Sequence, residues 1–310
     1  MPNAPSKRKD SSWLISGIFA TLFFGFYGLF VKLSTFQQPL ISNLIIYGTA
    51  TLSGIILTLI TKNKVVFSME GFLSGISSDI GALIMLYLLI SNQVLVVFSF
   101  VSFASALFFL IVLVCEKPEL SDRQESIAVI GISVAVFGLF LASTSTAGGL
   151  THLLKSSVID PFFLLLASVI PIGLGLWTYL SYVAIRKRRT KIQSVFLNYS
   201  LGSLVIAVIA FPLFGVGFPS SVFTETRNLI PVIAGLLVMG GDILTLRSYQ
   251  VTSDESRIDE TIVAILANAE IVPLIFLSYF ILGEFTIEGI AGALTVFVGL
   301  SILNSAKATH

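Results

Sequence analysis

The sequence predicts an all-α integral membrane protein: ten transmembrane helices in two inverted five-helix repeats, with both termini in the cytoplasm. Three observations predict it. The 310 residues are 55% hydrophobic and only 11% charged, with a mean hydropathy of +0.97, too little charge to cover a soluble domain. The apolar residues fall into ten segments, each near the roughly 20 residues that cross a bilayer as a helix. The Lys and Arg residues between those segments gather on one side. A strand barrel would show alternating segments of about ten residues instead.

Residues 1–12, MPNAPSKRKDSS, are short and basic and read as a cytoplasmic tail. The apolar run that follows is as long as a full span and lacks an Ala-x-Ala cleavage site, so it reads as a retained helix rather than a signal peptide. Spans at 13–32, 39–61, 70–90, 93–115 and 124–143 make the first repeat, residues 13–143. Residues 144–160 are rich in Ser, Thr and Gly and read as a central loop, with His152 as an ordinary solvated residue. Spans at 161–184, 192–213, 229–249, 260–282 and 286–305 make the second repeat, residues 161–305, and residues 306–310 a cytoplasmic tail.

With the N-terminus inside, fourteen Lys and Arg residues outside the spans fall on the cytoplasmic side and two, Lys155 and Arg227, on the other. This bias fixes the orientation and fits an even span count. Its densest cluster, RKRRTK at 186–191, reads as a topology anchor, with anionic lipid binding as the alternative. The short loops and the cytoplasmic basic bias fit a multi-pass protein of a bacterial inner (plasma) membrane; a eukaryotic organelle membrane is the alternative.

Five spans per half force the halves into opposite orientations. Matching residues recur in order. Gly131 and Gly138 in span 5 answer Gly292 and Gly299 in span 10, at the same spacing of seven. Glu116 and Glu284 precede those pairs. Asp79 in SSDIGALIMLY answers Asp242 in MGGDILTLRSY, and each is followed by a tyrosine, Tyr87 or Tyr249.

Several functions are excluded. A net charge of +1 gives no basic field for nucleic acid. One cysteine, Cys115, and two histidines, His152 and His310, leave no disulfide framework and no Cys or His metal site. No zinc-protease, nucleophile-elbow or phosphate-loop motif is present, so neither an enzyme nor a cofactor is expected. No loop is long enough for a nucleotide-binding domain, which excludes an ATP-driven pump.

An ionisable side chain at mid-bilayer costs about 3 kcal/mol, so each calls for a reason. Asp79, Asp242 and Glu270 fall at similar depth in spans 3, 8 and 9. They are expected to bind a cationic or zwitterionic group or to carry a proton; the structural alternative is a hydrogen bond across helices or a pairing with Arg247. Arg247 follows Asp242 by five residues, about 140° round a helix. It reads either as a clamp for a carboxylate or phosphate or as a side chain reaching the headgroups. Asn268, Tyr249 and Trp177 supply hydrogen bonds and aromatic surface and complete the expected substrate-binding set. Pro171, Gly173 and Gly175 before Trp177, and Pro273 after Glu270, are expected to bend or unwind their helices beside a cavity.

Residues 265–303, ILANAEIVPLIFLSYFILGEFTIEGIAGALTVFVGLSIL, resemble the last two helices of EamA-like members of the drug/metabolite transporter superfamily, through Pro273, Gly283-Glu284 and the glycine-spaced final helix. Residues 14–34 resemble that family's first helix, although a proline expected in span 4 is missing. The resemblance implies secondary transport of small organic metabolites: amino acids, nucleotide derivatives, sugars or amines.

The expected function is alternating-access transport of a small charged or zwitterionic metabolite, such as an amino acid or a derivative like S-adenosylmethionine. The expected partners are the substrate, membrane lipid and coupling protons, with a homodimer left open. The alternatives are a non-transport scaffold or receptor, and a transporter of nucleotide or sugar metabolites.

Overall fold

The computed structural model describes residues 12–35, 39–62, 64–90, 100–101, 103–116, 120–145, 161–215, 229–252, 257–282 and 286–306. The tails, His152 with most of the central loop, Gly283-Glu284 and the start of span 4 lie outside them. Among the described residues every regular element is helical. In chain order these are α1 (Ser12–Thr35), α2 (Pro39–Thr61), α3 (Met69–Ile90), α4 (Ala104–Glu116), α5 (Asp122–Ser145) and α6 (Pro161–Lys187). Then come α7 (Ile192–Leu213), α8 (Leu229–Val251), α9a (Arg257–Ala267), α9b (Ile271–Leu282) and α10 (Ile287–Ser305). Among the described residues, eight stretches are long and apolar enough to cross a membrane: α1, α2, α5, α6, α7, α8, the α9a–α9b pair and α10.

The surface is inverted relative to a soluble protein. Large apolar side chains such as Leu59, Ile60, Leu165 and Phe280 are exposed, whereas Asn43, Asp79, Asn198 and Glu260 are buried. A helical bundle with polar groups inside and apolar groups outside is an integral membrane protein.

Helices in lipid gain little from apolar burial against one another and associate through close packing of small residues. α5 and α10 show this most plainly. A Cβ at Gly138 would lie 2.5 Å from the Val296 amide nitrogen, and one at Gly292 would lie 2.3 Å from that of Ala142. Gly131 and Gly299 meet the same way, two turns along. The seven-residue spacing keeps each pair on one helix face. Elsewhere α1 packs on α8 and α6 on α3, α8 also packs on α2 and α3 on α7, and α2 faces α7.

Two helices depart from regularity near a proline. Proline lacks an amide hydrogen and its ring crowds the carbonyl four residues earlier, so a helix breaks one turn upstream. α6 is interrupted at Ser168, before Pro171. The ninth span breaks fully over 268–270, before Pro273, and separates α9a from α9b. Gly173 and Gly175, expected to loosen α6, instead seat it closely: Cβ atoms there would lie 2.5 Å from the Ser77 carbonyl of α3 and 3.1 Å from the Ala104 carbonyl of α4. At its far end α6 widens into a π turn, Val183–Lys187.

Candidate functional site: a central cavity at a broken helix

The break at 268–270 faces a cavity between the helices. α1 anchors the break. Thr21 donates to the Leu266 carbonyl at 2.8 Å. Gly25, one turn on, leaves room for the Pro273 ring, which a Cβ there would approach to 2.3 Å. The walls come from Phe24 and Tyr27 of α1, Tyr47 of α2, Ser78 and Met85 of α3, and Ile170, Leu174 and Trp177 of α6. Tyr199 of α7 and Val238 and Asp242 of α8 complete them, with Asn268 and Glu270 at the break itself. Both halves of the chain therefore contribute.

The aromatic wall is continuous. Phe24 meets Trp177 edge-on at 6.1 Å between ring centres, and Trp177 lies 6.3 Å from Tyr199. Ser78 and Tyr47 line the cavity together with Tyr199.

The seven expected site residues separate into three groups. Asp242, Glu270, Asn268 and Trp177 line the cavity. Asp242 is 2% exposed, its Oδ2 has no hydrogen-bond partner among the described residues, and it also borders a second, smaller cavity with Trp177 and Tyr199. Asn268 turns its side-chain amide back onto the Ala264 carbonyl at 2.8 Å, which also accepts the Asn268 backbone N–H at 3.2 Å. Asp79 lies beside Ser78 rather than among the lining residues and accepts from Asn43 Nδ2 at 3.2 and 3.5 Å on its two oxygens. That is the cross-helix bond foreseen as the structural alternative.

Tyr249 and Arg247 lie elsewhere. Tyr249 is buried with Phe108 and Tyr182, its ring stacked on the former at 6.3 Å and edge-on to the latter at 5.9 Å. Arg247 is exposed and lines neither cavity, because five residues of helix turn it away from Asp242. The carboxylate clamp drawn from it has no place in this cavity.

The sequence reading passed over Phe24, Tyr27, Tyr47 and Tyr199, since aromatics are common in apolar spans. It also passed over Asn43, although Asn43 and Tyr47 share a face of α2 at a spacing of four, a legible sign of a polar seam.

Below the Tyr182–Tyr249–Phe108 cluster, the ends of four helices are tied by ion pairs. Arg186 Nε lies 3.5 Å from Glu260 Oε1, and the Glu260 side chain is fully buried. Lys187 pairs with Glu116, which also accepts from the Tyr179 hydroxyl at 3.1 Å. Arg188 donates to Glu70 at 2.8 Å. Three cations of the RKRRTK run thus join α6 to α9a, α4 and α3 on one face of the bundle.

No family model matches the sequence, and no curated protein matches it. Solved structures share its fold. One, described only as the crystal structure of a protein, superposes with a TM-score of 0.72 at 15% identity, over 97% of this chain and 99% of the other. That likeness speaks for the fold alone.

Proposed function

We propose that this protein is a secondary active transporter that moves a small charged metabolite across a bacterial inner membrane by alternating access. It is built as ten spans in two inverted repeats with cytoplasmic termini, in the manner of EamA-like transporters. Asp242 carries the reading. A buried carboxyl with one oxygen lacking a hydrogen-bond partner among the described residues is costly, and a cavity between two halves is where transporters bind substrate. The helix contacts support the repeats: exchanging each helix with the one five places along turns α1–α8 into α6–α3 and α2–α8 into α7–α3. The facing glycines of α5 and α10 obey the same exchange. A half-helix break beside a carboxyl supports the same reading.

Proteoliposome uptake of radiolabelled amino acids, amines, S-adenosylmethionine and nucleotides, with and without a pH gradient, tests it. Accumulation of one class by the wild type, abolished by Asp242→Asn or Glu270→Gln, is the expected result. Uptake that survives both substitutions moves the site elsewhere. No uptake of any class favours a scaffold or receptor.

A further inference from the structure

Resting on that reading, we propose that the substrate is an organic ammonium with an apolar body and no carboxylate. Its charged nitrogen sits against Asp242, and its body lies toward Met85, Ile170 and Leu174.

Charge comes first. Asp242 and Glu270 both line the cavity, and no Lys, Arg or His is among the described residues lining it or its smaller neighbour. Arg247 points away, and Arg186 is held by the buried Glu260 below. An anion or the carboxylate of an amino acid would meet acids and find no counter-charge, which in a site of low dielectric opposes binding.

The kind of cation comes second. A metal ion asks for several converging oxygen, nitrogen or sulfur ligands. No group of three His, Cys, Asp or Glu side chains suited to a metal is found among the described residues. What surrounds Asp242 is aromatic. Trp177 and Tyr199 border both cavities with it, and Phe24 completes the wall. A desolvated ammonium within about 6 Å of such rings gains cation–π attraction. The bare Oδ2 of Asp242 supplies the formal counter-charge and an acceptor. Met85, Val101, Ile170 and Leu174 give the larger cavity an aliphatic stretch, which suits a hydrocarbon or aryl body rather than a polyol or a phosphate.

Phenethylamine, phenylalanine and phenylacetate share a ring and differ in charge, so they isolate the claim. In a Trp13→Phe background, Trp177 is the sole tryptophan and reports from the cavity wall. The purified full-length protein in detergent is expected to show saturable quenching by phenethylamine. Phenylalanine should bind about tenfold more weakly or worse, and phenylacetate not at all. Asp242→Asn should weaken phenethylamine about tenfold or more. Glu270→Gln should weaken it in the same direction and serves if the first variant does not fold.

Phenylalanine or phenylacetate binding as tightly as phenethylamine overturns the proposal. So does unchanged affinity in both variants, saturation by sodium or calcium alone, or no saturation by phenethylamine below about 10 mM. Uptake of an anion by liposomes that fail to bind the amine would sink this inference and leave transport standing. Amine binding without uptake of any substrate would do the reverse.

Discussion

Two aspartates at corresponding places in the halves have opposite fates, and the difference lies in one amide. Asn43 reaches Asp79 and satisfies it; Asp242 Oδ2 has no hydrogen-bond partner among the described residues. An unpartnered buried polar group costs about 1–3 kcal/mol, and so does stranding a group whose partner is removed. Asp242→Leu is therefore expected to raise the thermal unfolding midpoint in detergent while abolishing uptake. Asp79→Leu is expected to lower it, because Asn43 is then left alone, and Asn43→Leu added to it should recover part of the loss. A midpoint that falls for Asp242→Leu would mean that this carboxyl holds the fold rather than a ligand. Natural proteins accept such a cost at functional sites.

Breaks and close approaches act at the scale of the element. Pro273 holds the ninth span open where Asn268 and Glu270 meet the cavity. Pro273→Ala restores the missing amide hydrogen and removes the crowding ring. The expected outcome is a helix extended N-terminally through Glu270, with uptake reduced about tenfold or more and little change in stability. Uptake unchanged by this substitution would show that the break plays no part in the cycle. The α5–α10 pair serves cohesion instead. Gly292→Leu would drive a side chain into Ala142, whose amide nitrogen lies only 2.3 Å from the Cβ position. Overpacking of this kind costs about 1–3 kcal/mol. A lower unfolding midpoint is expected, and a compensating Gly138 substitution cannot rescue it, since both backbones are already in contact.

For the molecule as a whole, the ion pairs and the aromatic cluster close the basic face, while the cavity lies beyond them. Along α6 the order runs from Trp177 in the larger cavity, through Ser181 in the smaller, to Tyr182 and Arg186. In the proposed transport cycle, alternating access requires this closure to open. Glu260→Gln removes the charge that holds Arg186, and the balance between the two states is expected to shift toward opening on that face. In a Cys115→Ser background carrying Ser181→Cys, a membrane-impermeant thiol reagent on the basic side should label several times faster once Glu260 is replaced. Equal labelling rates would assign the pair to stability alone.

Hydropathy alone determined that this is a helical membrane protein, because backbone groups in hydrocarbon must be paired within each segment and each span must match the bilayer. Apart from α4, which begins at Ala104, the described helices accordingly begin and end within a few residues of the predicted spans. The four cavity residues among Asp242, Glu270, Asn268 and Trp177 were legible for a related reason: polar or bulky groups at mid-span are expensive unless used. Periodicity likewise foretold that Arg247 and Asp242 do not share a face. Three-dimensional packing decided the rest. That Asp79 is answered by Asn43, that Tyr249 joins Phe108 and Tyr182 rather than the cavity, and that the RKRRTK cations find Glu260, Glu116 and Glu70 all depend on which faces of distant helices meet. A single span's composition records how costly a residue is in lipid, but its partner is set by close packing between segments far apart in the chain.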